Sequence, residues 1–97
     1  MQTLKEIVNI INRLYPKIAR EYNVKRIGIF GSYIHLKQNK KSDVDLLVEF
    51  SKTPSLLKFV ELEDYLTKTL GIKVDLVMKS ALKPEIGKRI LSEVVYL

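Results

Sequence analysis

The sequence contains no cysteine and a single histidine. The first absence excludes disulfides and thiolate metal sites and leaves the redox compartment undetermined. The second excludes histidine-rich metal spacings. A serine nucleophile at Ser32 would need a histidine base and an orienting acid, and only His35, three residues on, is offered. Neither GxGxxG nor GxxxxGK[ST] occurs. No apolar run approaches membrane-spanning length. The N-terminus is amphipathic, with polar residues throughout, so no secretory signal is read there and a cytoplasmic protein is expected. Repeats, low-complexity segments and long linkers are all lacking, so residues 1–97 are expected to form one domain with one core.

Charge is present in excess of one sign, with 17 Lys and Arg against 11 Asp and Glu, for a net charge of +6. A basic surface invites a nucleic-acid reading. No aromatic residues interleave with a basic cluster as stacking platforms require, so nucleic acid is not the expected partner.

The informative stretch runs over residues 27–48, IGIFGSYIHLKQNKKSDVDLLV. An apolar run stops at Gly31-Ser32, and ten residues later Asp43 and Asp45 lead a second run, Leu46, Leu47 and Val48. Both runs have the length and aliphatic make-up of buried strands. Alternation along a strand puts Asp43 and Asp45 on one face, ~7 Å apart, and Val44, Leu46 and Val48 on the other. Unpaired at ~5 Å, two carboxylates repel by roughly 3 kcal/mol at an effective dielectric near 20. Such a pair on an apolar strand asks for a metal ion or a basic partner. A surface Asx turn would explain Asp43 but not Asp45. Gly31-Ser32, ending a strand and entering a helix, offers backbone N–H groups, a hydroxyl and a dipole end suited to phosphate.

The rest of the chain supplies a frame. Residues 3–22 place Leu4, Ile7, Val8, Ile11, Leu14, Ile18 and Tyr22 on one helical stripe, with Thr3 and Glu6 as a capping box. Pro16 predicts a kink or break near Leu14, and Asn23 a left-handed stop. Strands are expected at 26–30, 42–50 and 72–77. A short helix is expected past Ser32 through Tyr33, Ile34 and Leu36, then a polar loop over 38–41. A helix over 55–70 has an inner stripe of Leu56, Phe59, Val60, Leu62, Glu63, Leu66 and Leu70, and Gly71 closes it. A last helix starts at Pro84, with Ile86, Ile90, Leu91 and Val94 inward. Asp75 is embedded mid-strand in an apolar run, where a carboxylate seldom sits unpartnered. An ion pair to Lys73 or to a last-helix lysine is the alternative.

Gly-Ser, ten residues, Asp-x-Asp resembles the signature of the polymerase β-like nucleotidyltransferase superfamily, most closely its minimal nucleotidyltransferase (MNT) family. The resemblance implies an α+β fold in the order α-β-α-β-α-β-α, a mixed sheet with flanking helices like a polymerase palm. It also implies that Gly31 and Ser32 hold nucleotide phosphates. Asp43, Asp45 and Asp75 would bind magnesium, as two ions, or manganese, with Asp75 also activating the attacking hydroxyl. The substrate implied is ATP, and the reaction in-line nucleotidyl transfer. Family members commonly carry a small residue, an arginine and a glycine where this chain has Ile34, His35 and Leu36. A basic phosphate contact is therefore missing or passes to His35 or Lys37.

So small a chain leaves little material for an acceptor pocket, so a second protein or another copy of the chain is expected to hold the acceptor. The resemblance names that partner as a small helical protein of the HEPN class, which the transferase neutralises as an antitoxin by adenylylating it. The alternatives are silencing by steric contact alone, or transfer to a small molecule such as an aminoglycoside.

Overall fold

The computed structural model describes residues 3–35 and 43–97. Helix α1 (Leu4–Tyr22) starts on the expected box: the Thr3 hydroxyl accepts from the Glu6 N–H and donates to the Glu6 carboxylate, and Asn23 ends the helix at φ 58°. Pro16 does not break it. The missing hydrogen bond and ring clash cost about 3 kcal/mol. Ile7, Ile11 and Ile18, on both sides of Pro16, are fully buried, at roughly 1.5–3 kcal/mol each, so packing wins.

Three strands follow the prediction to within two residues at each described end: β1 (Val24–Phe30), β2 (Val44–Phe50) and β3 (Val74–Met78). Of the helix expected past Ser32, the described residues show a 3₁₀ turn, Gly31–Tyr33, anchored by the buried Tyr33 ring. The expected loop 38–41, Leu36, Lys37 and the first residue of the 42–50 strand lie outside the described residues. Between β2 and β3 runs α2 (Leu56–Leu70), capped by Ser55 and stopped by Gly71 at φ 71°. A 3₁₀ turn (Lys79–Ala81) leads to α3 (Pro84–Glu93). A fourth strand, β4 (Val95–Tyr96), was not expected from the sequence.

The strands form one mixed sheet in the order β3-β2-β1-β4. β2 and β3 are parallel, as a helical crossover permits, and the other pairs are antiparallel. Ile27, Ile29, Val44, Leu46, Val48, Val74 and Leu76 fill one face together with Ile7, Ile11 and Ile18 of α1 and Leu62, Leu66 and Leu70 of α2. Alternation then sends Gly28, Phe30, Asp45, Leu47 and Asp75 to the opposite face. At the β3 edge, the Val74 N–H donates to Thr67 Oγ1 at 3.0 Å and the Leu76 N–H to Glu63 Oε2 at 2.9 Å. Side chains of α2 thus satisfy the edge that β2 leaves unpaired.

Two helix faces differ from expectation. Leu56 is 79% exposed and Val60 49%. Val60 lies two residues from Leu62, about 200° round the helix, so both cannot face the core. Leu56, in the first turn, lines an open groove of about 490 Å³ with Phe59, Leu76 and Met78. In α3, Ile86 and Leu91 are also exposed, and Gly87 is the buried residue. Its missing side chain lets the helix approach Leu82, where a Cβ would stand 3.3 Å from Leu82 Cβ. The inward side thus runs through Gly87 with the half-buried Ile90 and Val94, as expected for those two, while Ile86 and Leu91 face outward.

Candidate active site

The face of the sheet opposite α1 and α2 gathers the residues singled out in the sequence. Asp45 is the second residue of β2 and Asp75 the second of β3, and the two are paired in register. Parallel neighbours in register point the same way, about 4.8 Å apart, so both carboxylates rise from one face side by side. On its other flank Asp45 pairs with Phe30, the last residue of β1, and Gly31 follows. Gly31 has φ +79°, and a Cβ there would overlap the Asp45 carboxylate. Glycine is required twice over, by the backbone angle and by the acid against it. Asp43 stands just ahead of β2 and adds its charge to the Asp45 environment. Ser32 is the next residue of the Gly31–Tyr33 turn. All five predicted residues therefore stand at one end of the sheet, about the starts of β2 and β3 and the end of β1.

The turn revises the expected phosphate cradle. Three residues of 3₁₀ helix have no macrodipole of consequence, so what Gly31-Ser32 can offer an anion is backbone N–H groups and a hydroxyl. The carboxyl of Asp45 is pushed up to about 6, first by burial, then by the charges of Asp75, Asp43 and Glu93. Among the described residues no lysine or arginine pairs with Asp43, Asp45 or Asp75. The alternative of an ion pair from Asp75 to Lys73 or to a last-helix lysine is thus not formed there.

Glu93, the fourth of these acids, escaped the sequence reading. It ends α3, and its Oε1 accepts the Gly31 N–H at 3.3 Å while Oε2 meets His35 Nε2 at 2.7 Å. The His35 hydrogen bond, with help from the Gly31 N–H, holds its carboxyl below the usual carboxylate range. The one histidine, expected to contact phosphate if it acted at all, is engaged by this acid instead.

Carboxylate oxygens with no thiol or imidazole among them are the donors of a hard divalent cation. Among the described residues no three histidine or acidic side chains converge into a ready cage. Magnesium does not need one: it is commonly held by one or two carboxylates together with substrate phosphates and water. An uncompensated acid pair facing a glycine turn fits that mode. Asp45 and Asp75 would hold such an ion, with Asp43 beside them.

Paired acids on parallel strands, opposite a glycine turn at the end of an antiparallel neighbour, mark this α+β fold as that of a nucleotidyltransferase. A family model for the nucleotidyltransferase domain matches residues 4–97, and the chain belongs to that family, as one of its minimal nucleotidyltransferases. It is 50% identical to the protein adenylyltransferase MntA of Thermococcus cleftensis over 97 residues, which is 100% of this chain and 98% of that one. It also superposes, with TM-score 0.86 and 29% identity, on a solved structure provisionally named a minimal nucleotidyltransferase, covering 99% of this chain and 97% of that one. A chain in the solved complex of tri-AMPylated Shewanella oneidensis HEPN toxin with its MNT antitoxin gives TM-score 0.68 at 22% identity, over 93% of this chain and 70% of that one. At that identity the likeness is one of fold.

Proposed function

We propose that this nucleotidyltransferase is a metal- and ATP-dependent adenylyltransferase whose acceptor is a hydroxyl of a partner protein, and that it serves as the antitoxin of a HEPN/MNT pair. The observation that carries the reading is the in-register pairing of Asp45 with Asp75 directly against Gly31. It sets the groups for a phosphate and the groups for its counter-ion within one side chain of each other. The relative at 50% identity is named a protein adenylyltransferase, which supports AMP as the group moved. The Shewanella complex, with its AMPylated HEPN toxin, supports the kind of acceptor.

In this reading residues 1–97 are one catalytic domain. Gly31 and Ser32 seat the triphosphate, because no side chain at Gly31 stands between the backbone and the acids. Magnesium, as two ions, or manganese, would be held by Asp43, Asp45 and Asp75 and would neutralise charge on the phosphates. The partner's hydroxyl oxygen attacks the α-phosphorus in line; the new O–P bond forms as the bond to the β-phosphate oxygen breaks, and pyrophosphate leaves. Asp75, exposed at the sheet edge, would accept the hydroxyl proton. Asp45, half-buried between Gly31 and Asp75, would hold an ion whose charge offsets that of the phosphate.

Incubation of the chain with a co-expressed HEPN-class neighbour and ATP labelled at the α-phosphate tests this. Label should pass to the partner in magnesium, should not in chelator, and should fall by at least about a hundredfold with Asp45→Asn. A partner silenced without acquiring label would mean that the protein acts by steric contact alone.

A further inference from the structure

Resting on the nucleotide reading above, we propose that Glu93 is a displaceable internal anion: its carboxylate occupies the Gly31 N–H in the empty enzyme and surrenders it to a nucleotide phosphate. Glu93 is thus a positioning residue for the cradle and a brake on nucleotide entry. Three observations carry this. The N–H of Gly31, the residue against Asp45, already donates to Glu93 Oε1. Its 3.3 Å length lies beyond the usual range for an N–H···O bond, whereas the 2.7 Å contact of Oε2 with His35 is short. The carboxylate is therefore fastened by His35 and only rests on the cradle.

The third observation is place. Glu93 ends α3, one residue before the cap Val94 and two before β4, whose Val95 pairs with Ile29 of β1. The backbone beside it is fixed to the sheet, so only the side chain need turn to clear Gly31. One N–H cannot serve a carboxylate and a phosphate oxygen at full strength, and two anions at that distance repel. Entry of a triphosphate requires the carboxylate to leave. Turning off Gly31 also carries one of the acids that act on Asp45 further from it.

Calorimetry with a non-hydrolysable ATP analogue in magnesium, and with inorganic tripolyphosphate, on wild type, Glu93→Gln and Glu93→Ala tests this. Both ligands should bind Glu93→Ala about tenfold more tightly than wild type, the scale of one charge-assisted hydrogen bond released from competition. Glu93→Gln, which keeps the shape and drops the charge, should move the same way by less. Both variants should also melt at a lower temperature without ligand, since the tie between α3 and the turn is weakened. A residue that merely supports the turn would lose affinity together with melting temperature, so opposite signs are the signature. Should Glu93→Ala fail to fold, Glu93→Gln decides alone. Wild-type binding that neither variant tightens overturns this inference and leaves the nucleotide reading standing. No binding by any of the three proteins overturns both.

Discussion

Asp45 is the residue on which the site's electrostatics turn, because it is half-buried and faces Asp75, Asp43 and Glu93 together. Its carboxyl titrates at about 6 in the folded chain against an ordinary 3.8. Between those values the folded state keeps a proton that the unfolded state has lost. Stability then falls as pH rises: the contribution is full below about pH 3.8 and gone above about pH 6. Discounted for solvent screening at a half-open site, it is on the order of 1 kcal/mol. In chelator at pH 7, Asp45→Asn should therefore melt about 4–8 °C higher than wild type, and its melting should lose the slope between pH 4 and 6. Melting curves in chelator across that range check both; a variant less stable than wild type would make Asp45 a structural hydrogen-bonding residue.

Legibility at this scale followed sequence distance. Gly31, Ser32, Asp43 and Asp45 lie close together in the chain, and Asp75 announced itself as an acid inside an apolar run. Glu93 reaches Gly31 across 62 residues and His35 across 58, at the polar end of an amphipathic helix where a glutamate is unremarked. No local pattern marks a contact of that kind.

Among the elements, those with a strong period were readable and those held by a neighbour were not. The stripe of α1 and the caps at Thr3, Asn23, Ser55 and Gly71 identify their helices from the chain alone. The two-residue β4 exists because Gly28 leaves room for Val94 and pairs with Tyr96, a tertiary cause with no local signal. In α3, Ile90 and Val94 are half-buried as expected, but Ile86 and Leu91 are not, because an apolar count cannot see that Gly87 is what lets the helix close. The β3 edge shows the same dependence on a neighbour, since Glu63 was placed on the inner stripe for its spacing and its carboxylate proves to cap the Leu76 N–H. Removing it by Glu63→Ala leaves that N–H without its partner at a partly buried edge, which costs about 1–2 kcal/mol. The variant's melting temperature should fall by roughly 4–16 °C with magnesium affinity intact. Unchanged melting would mean that water replaces the carboxylate at no cost and that the edge needs no cap.

At the scale of the whole molecule, the chain is a sheet with two helices closing one face and its acids, with Gly31, grouped on the other. No helix among the described residues is long and apolar enough to cross a membrane. The motif identified the family; the positive net charge, spread along the chain, did not. In the proposed function Gly31, Asp43, Asp45 and Asp75 form a single site in which metal and nucleotide bind together. Titration of a non-hydrolysable ATP analogue into wild type and Asp45→Asn, each in magnesium and in chelator, tests it most directly. Magnesium should tighten binding to wild type by at least about tenfold, ~1.4 kcal/mol of coupling, and to Asp45→Asn by much less. Equal wild-type affinity with and without magnesium would contradict the claim.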